Sequence, residues 1–420
     1  MNTFFLFLEL MLYAFSVYLF LVKKELGILY LPVLFFIDTV IATHVFTAFI
    51  YYAIVTVLIF NLIFKNPAFL KNNIFSLYLI VYFLILLSKS TNLDLIRQDV
   101  FNVMWLFMLI PLIPAIYKKY SKEEIMKELG QSAFLILVIF IANVLMCTKY
   151  AYNPYLMYGI TGGIMYGNMY ATDFNVLSVA VFIVLFRAMQ TRSIVYTVVF
   201  VVAMVFLGLS LRRSVTLLSL GGAGLAMFLT LGKSLKRVII FGGLIVCLGL
   251  VVAVKTNFAA SFTERYEQRN LDERALDEER RIFEYGLIYD DMFRYNRYSA
   301  LFGYELFNSA GHYGNGQFYD RTLHGDLASI AHSSGIIGVI LYLLLVFTAI
   351  YQAFKNAGTK TEKIILLYCV GIFITFTLIG RFTQVGNMEI LFLTAFLPVC
   401  KKWEKKEAKK EPILSYVPAM

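Results

Sequence analysis

The sequence predicts an all-α, polytopic helical membrane protein of about 12–13 spans with one long outer loop. Three observations carry this. The 420 residues are 60% hydrophobic and only 15% charged, whereas a soluble domain is nearer half apolar and a quarter charged. Apolar runs of about 16–20 residues recur along the chain, each enough for a helix across a bilayer. Lysines cluster in the short connections between runs, as loops retained in the cytoplasm do. Helices are expected because hydrocarbon leaves no partner for an unpaired backbone group.

The spans fall near 3–22, 26–42, 46–64, 74–89, 99–117, 130–147, 172–188, 193–210, 214–231, 237–254, 331–354, 363–380 and 386–400. The first run, FFLFLELMLYAFSVYLFLV, has no basic segment before it and no small-residue cleavage site after it, so a cleavable leader is not expected. Residues 26–64 read either as a hairpin or as one broken element. Basic pairs and clusters at Lys23-Lys24, Lys65 and Lys71, Lys118-Lys119-Lys122-Lys127, Lys233-Lys236, Lys355-Lys360-Lys363 and the tail KKWEKKEAKK mark the inner side. This puts the C-terminus in the cytoplasm and the N-terminus outside. Four units follow: a bundle at 1–254, an outer loop at 255–330, C-terminal spans at 331–400 and a basic tail at 401–420. Cys147, Cys247, Cys369 and Cys400 lie in apolar runs, so no disulfide framework is indicated.

The formal charge of +10 sits in the lysine loops, which argues against nucleic acid as its partner. The 255–330 loop is different in kind. It holds eight arginines, one lysine, thirteen acids and eight tyrosines. Guanidinium forks match phosphate and carboxylate geometry, and tyrosine offers sugar rings an apolar face with a polar tip. Arg280, Arg281 and Arg321 are therefore candidate contacts to glycan or pyrophosphate. The alternative is a solvated helix laced with pairs such as Asp277/Glu278 with Arg281. Ser261 and Glu264 have capping-box spacing, and 264–293 carries a helical period. The adjacent acids Asp290-Asp291 read as a solvated helix face rather than a metal site.

Two short stretches bear chemistry. SLRRSVTLL at 210–218 is an outer turn with adjacent arginines, against the usual charge bias. Arg212 and Arg213 could hold a pyrophosphate bidentately as a glycosyl group leaves it. LHGDLASIAHSSGIIGV places His324 before a helix, where the dipole favours neutral imidazole and hence a general base. Asp326 would orient it, and His332, two turns deeper, is either structural or a helper that contacts glycan or pyrophosphate. Gly335 and Gly338 would admit a second helix closely. Asp38, His44, Asp173, Arg381 and Glu389 lie near outer span ends as helix-end polar groups, with Arg381 alone a candidate for the phosphate cluster. No nucleotide motif and no metal-spaced His/Cys cluster occurs, so neither cofactor nor metal is expected.

His324, Gly325, nine residues, then Gly335-Ile-Ile-Gly338 resembles the pattern of the O-antigen polymerase and ligase superfamily. Arg213-Ser-Val-Thr-Leu217 resembles its outer-turn motif, and ALFGYELFNSAG its Phe-Gly-x-Gly stretch. Gly325 and Glu305 depart from the family's usual residues. The likeness covers residues 200–350. It implies a GT-C-like fold in the bacterial cytoplasmic membrane, with a metal-independent site on the outer face. It also implies an undecaprenyl-pyrophosphate-linked oligosaccharide as substrate, the membrane as setting and a chain-length regulator as candidate partner. By position, His324 would activate the acceptor hydroxyl, and Arg213 with Arg212 would hold the leaving pyrophosphate. The expected activity is polymerisation of lipid-linked repeats. A ligase transferring the finished glycan to lipid A core, and a flippase for the same lipid, are the alternatives.

Overall fold

The computed structural model describes residues 2–39, 48–152, 167, 175–210, 213–230, 242–243, 247, 280–316, 322–323, 325–379 and 385–401. The protein is all-α: thirteen helices and no strand among these residues. They are α1 (Asn2–Val22), α2 (Leu31–Thr39), α3 (Ala48–Lys65), α4 (Ile74–Leu87), α5 (Leu93–Tyr117), α6 (Lys122–Lys149) and α7 (Asn175–Thr191). After them come α8 (Ile194–Leu209), α9 (Arg213–Thr230), α10 (Arg280–Tyr289), α11 (Asp326–Asn356), α12 (Lys360–Ile379) and α13 (Val385–Ala395). Helices α3, α5, α6, α11 and α12 are long and apolar enough to cross a membrane. The expected span at 237–254 lies outside the described residues but for 242–243 and 247.

Residues 40–47, which would decide between a hairpin and one broken element over 26–64, lie outside the described residues. A 3-10 turn, Lys24–Tyr30, leads into α2. The turn wedges against α1, where a Cβ on Gly27 would stand 2.6 Å from the Phe20 carbonyl. Helix α6 starts earlier than its apolar run because Ser121 and Glu124 form a reciprocal capping box.

The connections gather into two ends. At one, Lys23 pairs with Glu128 (2.8 Å), Lys119 with Glu25 (2.7 Å) and Lys122 with Glu362 (2.7 Å). There too Lys118 donates to Asn72 (2.7 Å), and the Lys401 amide donates to the Tyr120 carbonyl (2.9 Å). The lysine clusters of five separate connections thus share one end.

Helix directions define the other end. Helix α6 starts among the lysines. Along it Phe134 packs on Tyr196 (4.7 Å) and Phe140 on Phe206 (6.4 Å), so α8 runs parallel to α6. The chain leaving α8 at Leu209 therefore turns opposite the lysines. Helix α12 also starts among them, at Glu362, and finishes opposite. There the Tyr285 hydroxyl of α10 donates to the Thr377 and Leu378 carbonyls, each at 3.3 Å. The turn after α4 is held at this end by Glu305, which accepts from the Thr91 amide and from its hydroxyl (2.9 Å). The end of α8, the start of α9, the start of α11 and residues 280–316 share one end of the bundle.

Helix α11 breaks at Gly335, where φ is 65° and ψ is −168°. The turn at 299–304 enters the break. The Ile336 amide donates to the Ala300 carbonyl (2.9 Å) and the Ile337 amide to Leu301 (3.3 Å). The His332 carbonyl accepts from the Tyr304 amide (2.7 Å), and Ser334 from the Tyr82 hydroxyl (2.7 Å). Backbone groups freed by the break are thus satisfied inside the protein, as an apolar setting demands. Gly335 was expected to admit a helix. It instead admits the backbone of Leu301 and Phe302, while only Gly338 faces another helix, with Tyr82 as its neighbour.

Candidate functional site

The site expected from the sequence begins at the corner between α8 and α9. Flanking it, two hydroxyls meet one oxygen: Ser210 donates to the Leu207 carbonyl (2.6 Å) and Thr216 to the same oxygen (3.3 Å). Arg213 is the first residue of α9. That helix approaches α12 at Gly222, where Tyr368 shares its hydroxyl between the carbonyls of Ser178 (3.3 Å) and Leu218 (3.4 Å). Arg212 and the Arg213 side chain lie outside the described residues.

The second part is the start of α11. Gly325 stands at its N-cap, and Asp326 is buried in the first turn, where the helix dipole favours an acid. A Cβ on Gly325 would meet the Tyr285 hydroxyl at 2.7 Å, so Tyr285 occupies the space a larger residue would take. Burial, then the Asp326 carboxylate, pushes the Tyr285 hydroxyl up to about 12. Tyr285 therefore stays a neutral donor and pins α10 to the end of α12. His324, Arg321 and Arg381 lie outside the described residues, as do the side chains of Arg280 and Arg281. Their described neighbours meet at one junction: Gly325 beside His324, Leu378 three residues before Arg381, and Tyr285 four after Arg281.

His332 is fully buried. Its Nε2 donates to the His312 carbonyl (3.2 Å), and its ring packs on Tyr298 and Tyr304 at centroid distances of 5.1 and 5.5 Å. Tyr304 also stacks on His312 (4.9 Å). This aromatic group backs the 299–304 turn. The Tyr298 hydroxyl and His332 Nδ1 are buried without a hydrogen-bond partner. Of the two adjacent acids, Asp291 is buried rather than solvated. It accepts from the Gly314 amide (2.6 Å) and pairs with Arg297 (3.3 Å), clasping the insertion to itself. No group of three His, Cys, Asp or Glu side chains suited to a metal stands among the described residues.

Glu305 is the residue that fastens the insertion to the α4–α5 turn. Burial works to raise its carboxyl. Bonds from the Asn308 side chain, from Thr91 and from the Asn92 amide outweigh this and hold it below the usual carboxylate range.

Sequence reasoning did not find a cavity of about 50 Å³ lined by Asp38, Tyr51, Tyr52, Gln98, Asn102 and Asn387, with Phe35 and Phe36 among the apolar walls. Gln98 and Asn102, four apart on α5, were the available signal: they share a helix face at the start of a span. Deeper on α13, Glu389 is fully buried with neither carboxylate oxygen hydrogen-bonded, a position unlike the helix-end group expected for it.

Fold and composition define an all-α helical protein, several of whose helices are long and apolar enough to cross a membrane. No protein-family model matches the chain, and no curated protein matches it.

Proposed function

We propose that this chain is a metal-independent glycosyltransferase of the bacterial cytoplasmic membrane. It polymerises undecaprenyl-pyrophosphate-linked oligosaccharide repeats on the outer face. One observation carries the reading. The start of α9 at Arg213, the α11 start that follows His324, and the described part of the Tyr- and Arg-rich insertion share the end opposite the lysines. In this reading neutral His324 takes the proton of an acceptor hydroxyl as its oxygen attacks the anomeric carbon. The bond to the pyrophosphate oxygen breaks, and Arg213, with Arg212 and Arg381, holds the departing charge. Arg280, Arg281 and Arg321 extend the cationic surface toward glycan or pyrophosphate.

Transport of the same lipid would draw on broken helices whose termini face a substrate. The break in α11 is closed instead by the 300–301 carbonyls, which favours transfer over transport. The test is reconstitution in proteoliposomes with purified lipid-linked repeat, scored by polymer ladder. His324→Ala is expected to lower the rate by about 10²–10⁴-fold, and Arg213→Ala by at least about 10²-fold, with insertion unchanged. Normal ladders from either variant remove its assigned role. Transfer to lipid A core without a ladder replaces polymerase by ligase.

A further inference from the structure

The geometry points to a second binding site, for the edge of a neutral sugar ring, in the cavity between α2, α3, α5, α7 and α13. The cavity lies at the same end as the expected chemistry. Gln98 and Asn102 stand on the first turns of α5, whose other end reaches the Tyr117 and Tyr120 carbonyls bound by Lys401. Val385 and Asn387 open α13, whose other end leads to Lys401.

The lining selects the ligand. Gln98, Asn102 and Asn387 each carry a donor and an acceptor. That pairing fits hydroxyl groups, which also do both, better than a cation, which only donates. Asp38 adds an acceptor already oriented by the Tyr13 hydroxyl at 2.5 Å. Among the described residues that line the space there is no lysine or arginine.

An aromatic wall faces these polar groups. Phe35 stacks on Trp105 (6.0 Å), Tyr51 meets Trp105 edge-on (6.1 Å), and Tyr52 stacks on Phe101 (4.6 Å). Apolar ring faces with polar tips suit the C–H face of a pyranose. The volume of about 50 Å³ is several times the minimum for one water. It accepts one edge of a ring while the rest stays in the open mouth, where Gln98 is exposed. Few convergent polar groups on apolar walls are the usual make-up of a ligand site.

Trp105 reports on the cavity, since the chain has only one other tryptophan, Trp403 in the basic tail. The experiment uses the full chain with Trp403→Phe in detergent. Its fluorescence is titrated with the methyl glycosides of glucose, galactose, mannose and N-acetylglucosamine, with choline, and with sialic acid. A saturable change with at least one neutral glycoside is expected. Gln98→Ala, at the exposed mouth, should weaken it about fivefold, and Asn102→Leu about tenfold, with melting checked for each. No saturable change with any neutral glycoside overturns the inference, as does saturation by choline or sialic acid alone. Gln98→Ala with unaltered affinity also overturns it. Glycoside binding by a protein that forms no polymer would sink the proposed reaction and leave this site standing.

Discussion

Gly335→Ala should be the most damaging single methyl in the described part of the chain. The backbone there, φ 65° and ψ −168°, is a conformation essentially confined to glycine, and forcing another residue into it costs on the order of 1–3 kcal/mol. The new Cβ would also collide with the carbonyl group of Leu301 and stand 2.6 Å from the Phe302 amide nitrogen. These are backbone atoms, so no rotamer change relieves the contact. The 299–304 turn must retreat, and the bonds from Ile336 to Ala300 and from Ile337 to Leu301 go with it. Each is worth about 1 kcal/mol, so the total is about 3–5 kcal/mol. Gly338→Ala is the matched control. Its Cβ meets the Ser334 side chain: the hydroxyl can rotate away at the loss of its bond to the Ile330 carbonyl (2.7 Å), about 1 kcal/mol, while Ser334 Cβ, 2.5 Å away, requires a small shift of the helix but breaks no backbone bond to the 299–304 turn. Thermal unfolding in detergent ranks the two. Hydrogen exchange over 296–304 and 330–340 locates the change. Equal melting of both variants, with amide protection at 336–337 intact, would refute the account of the break.

Three further outcomes follow from the same geometry. Gly325→Ala should destabilise the wild type by about 1–3 kcal/mol through overpacking against Tyr285. Combined with Tyr285→Phe it should cost less than the sum of the two, and strict additivity in the melting cycle would deny the contact. Glu305 has a lowered carboxyl pKa, so its hold on the Thr91 turn is present at neutral pH. The hold is lost as acidification protonates the carboxylate below the usual range. Proteolysis of the 88–92 turn should therefore rise in acid for the wild type and be insensitive to pH in Glu305→Gln; identical profiles count against the clasp. Tyr298→Phe removes a buried hydroxyl that has no partner. It should leave the melting unchanged or raise stability by up to about 1 kcal/mol, and a fall of 2 kcal/mol would show that the hydroxyl is engaged.

The helices were legible in the sequence because two signals agree: apolar run length sets where a helix can span, and lysine placement sets which connections share an end. The observed lysine end, with Lys23, Lys118, Lys119, Lys122 and Lys401 together, follows that pattern. Other features were hidden for physical reasons. The 3-10 turn at Lys24–Tyr30 lies in an apolar run that reads as plain helix, and its close approach to α1 at Gly27 becomes visible only in the fold. Gly335 and Gly338 read identically in a pattern, yet one serves a positive φ and the other a neighbouring side chain. The buried state of His332 depends on Tyr298, Tyr304 and His312, which only folding brings together. The Asp38 cavity draws on five helices far apart in the chain, so no local spacing announces it. The residues expected to do the chemistry were chosen by charge, sidedness and motif spacing, and those choices rest on the backbone positions flanking them.

The mended break in α11 also bears on how the protein is made. The carbonyls of Ala300 and Leu301 precede Ile336 and Ile337 in the chain, so during synthesis the acceptors emerge before the amides that need them. A ribosome delivering α11 hands its break to a partner that has already been made. Moving residues 280–316 to the C-terminus by circular permutation would reverse that order. The break in α11 would then be made with its amides bare, and quality-control proteases would find it first.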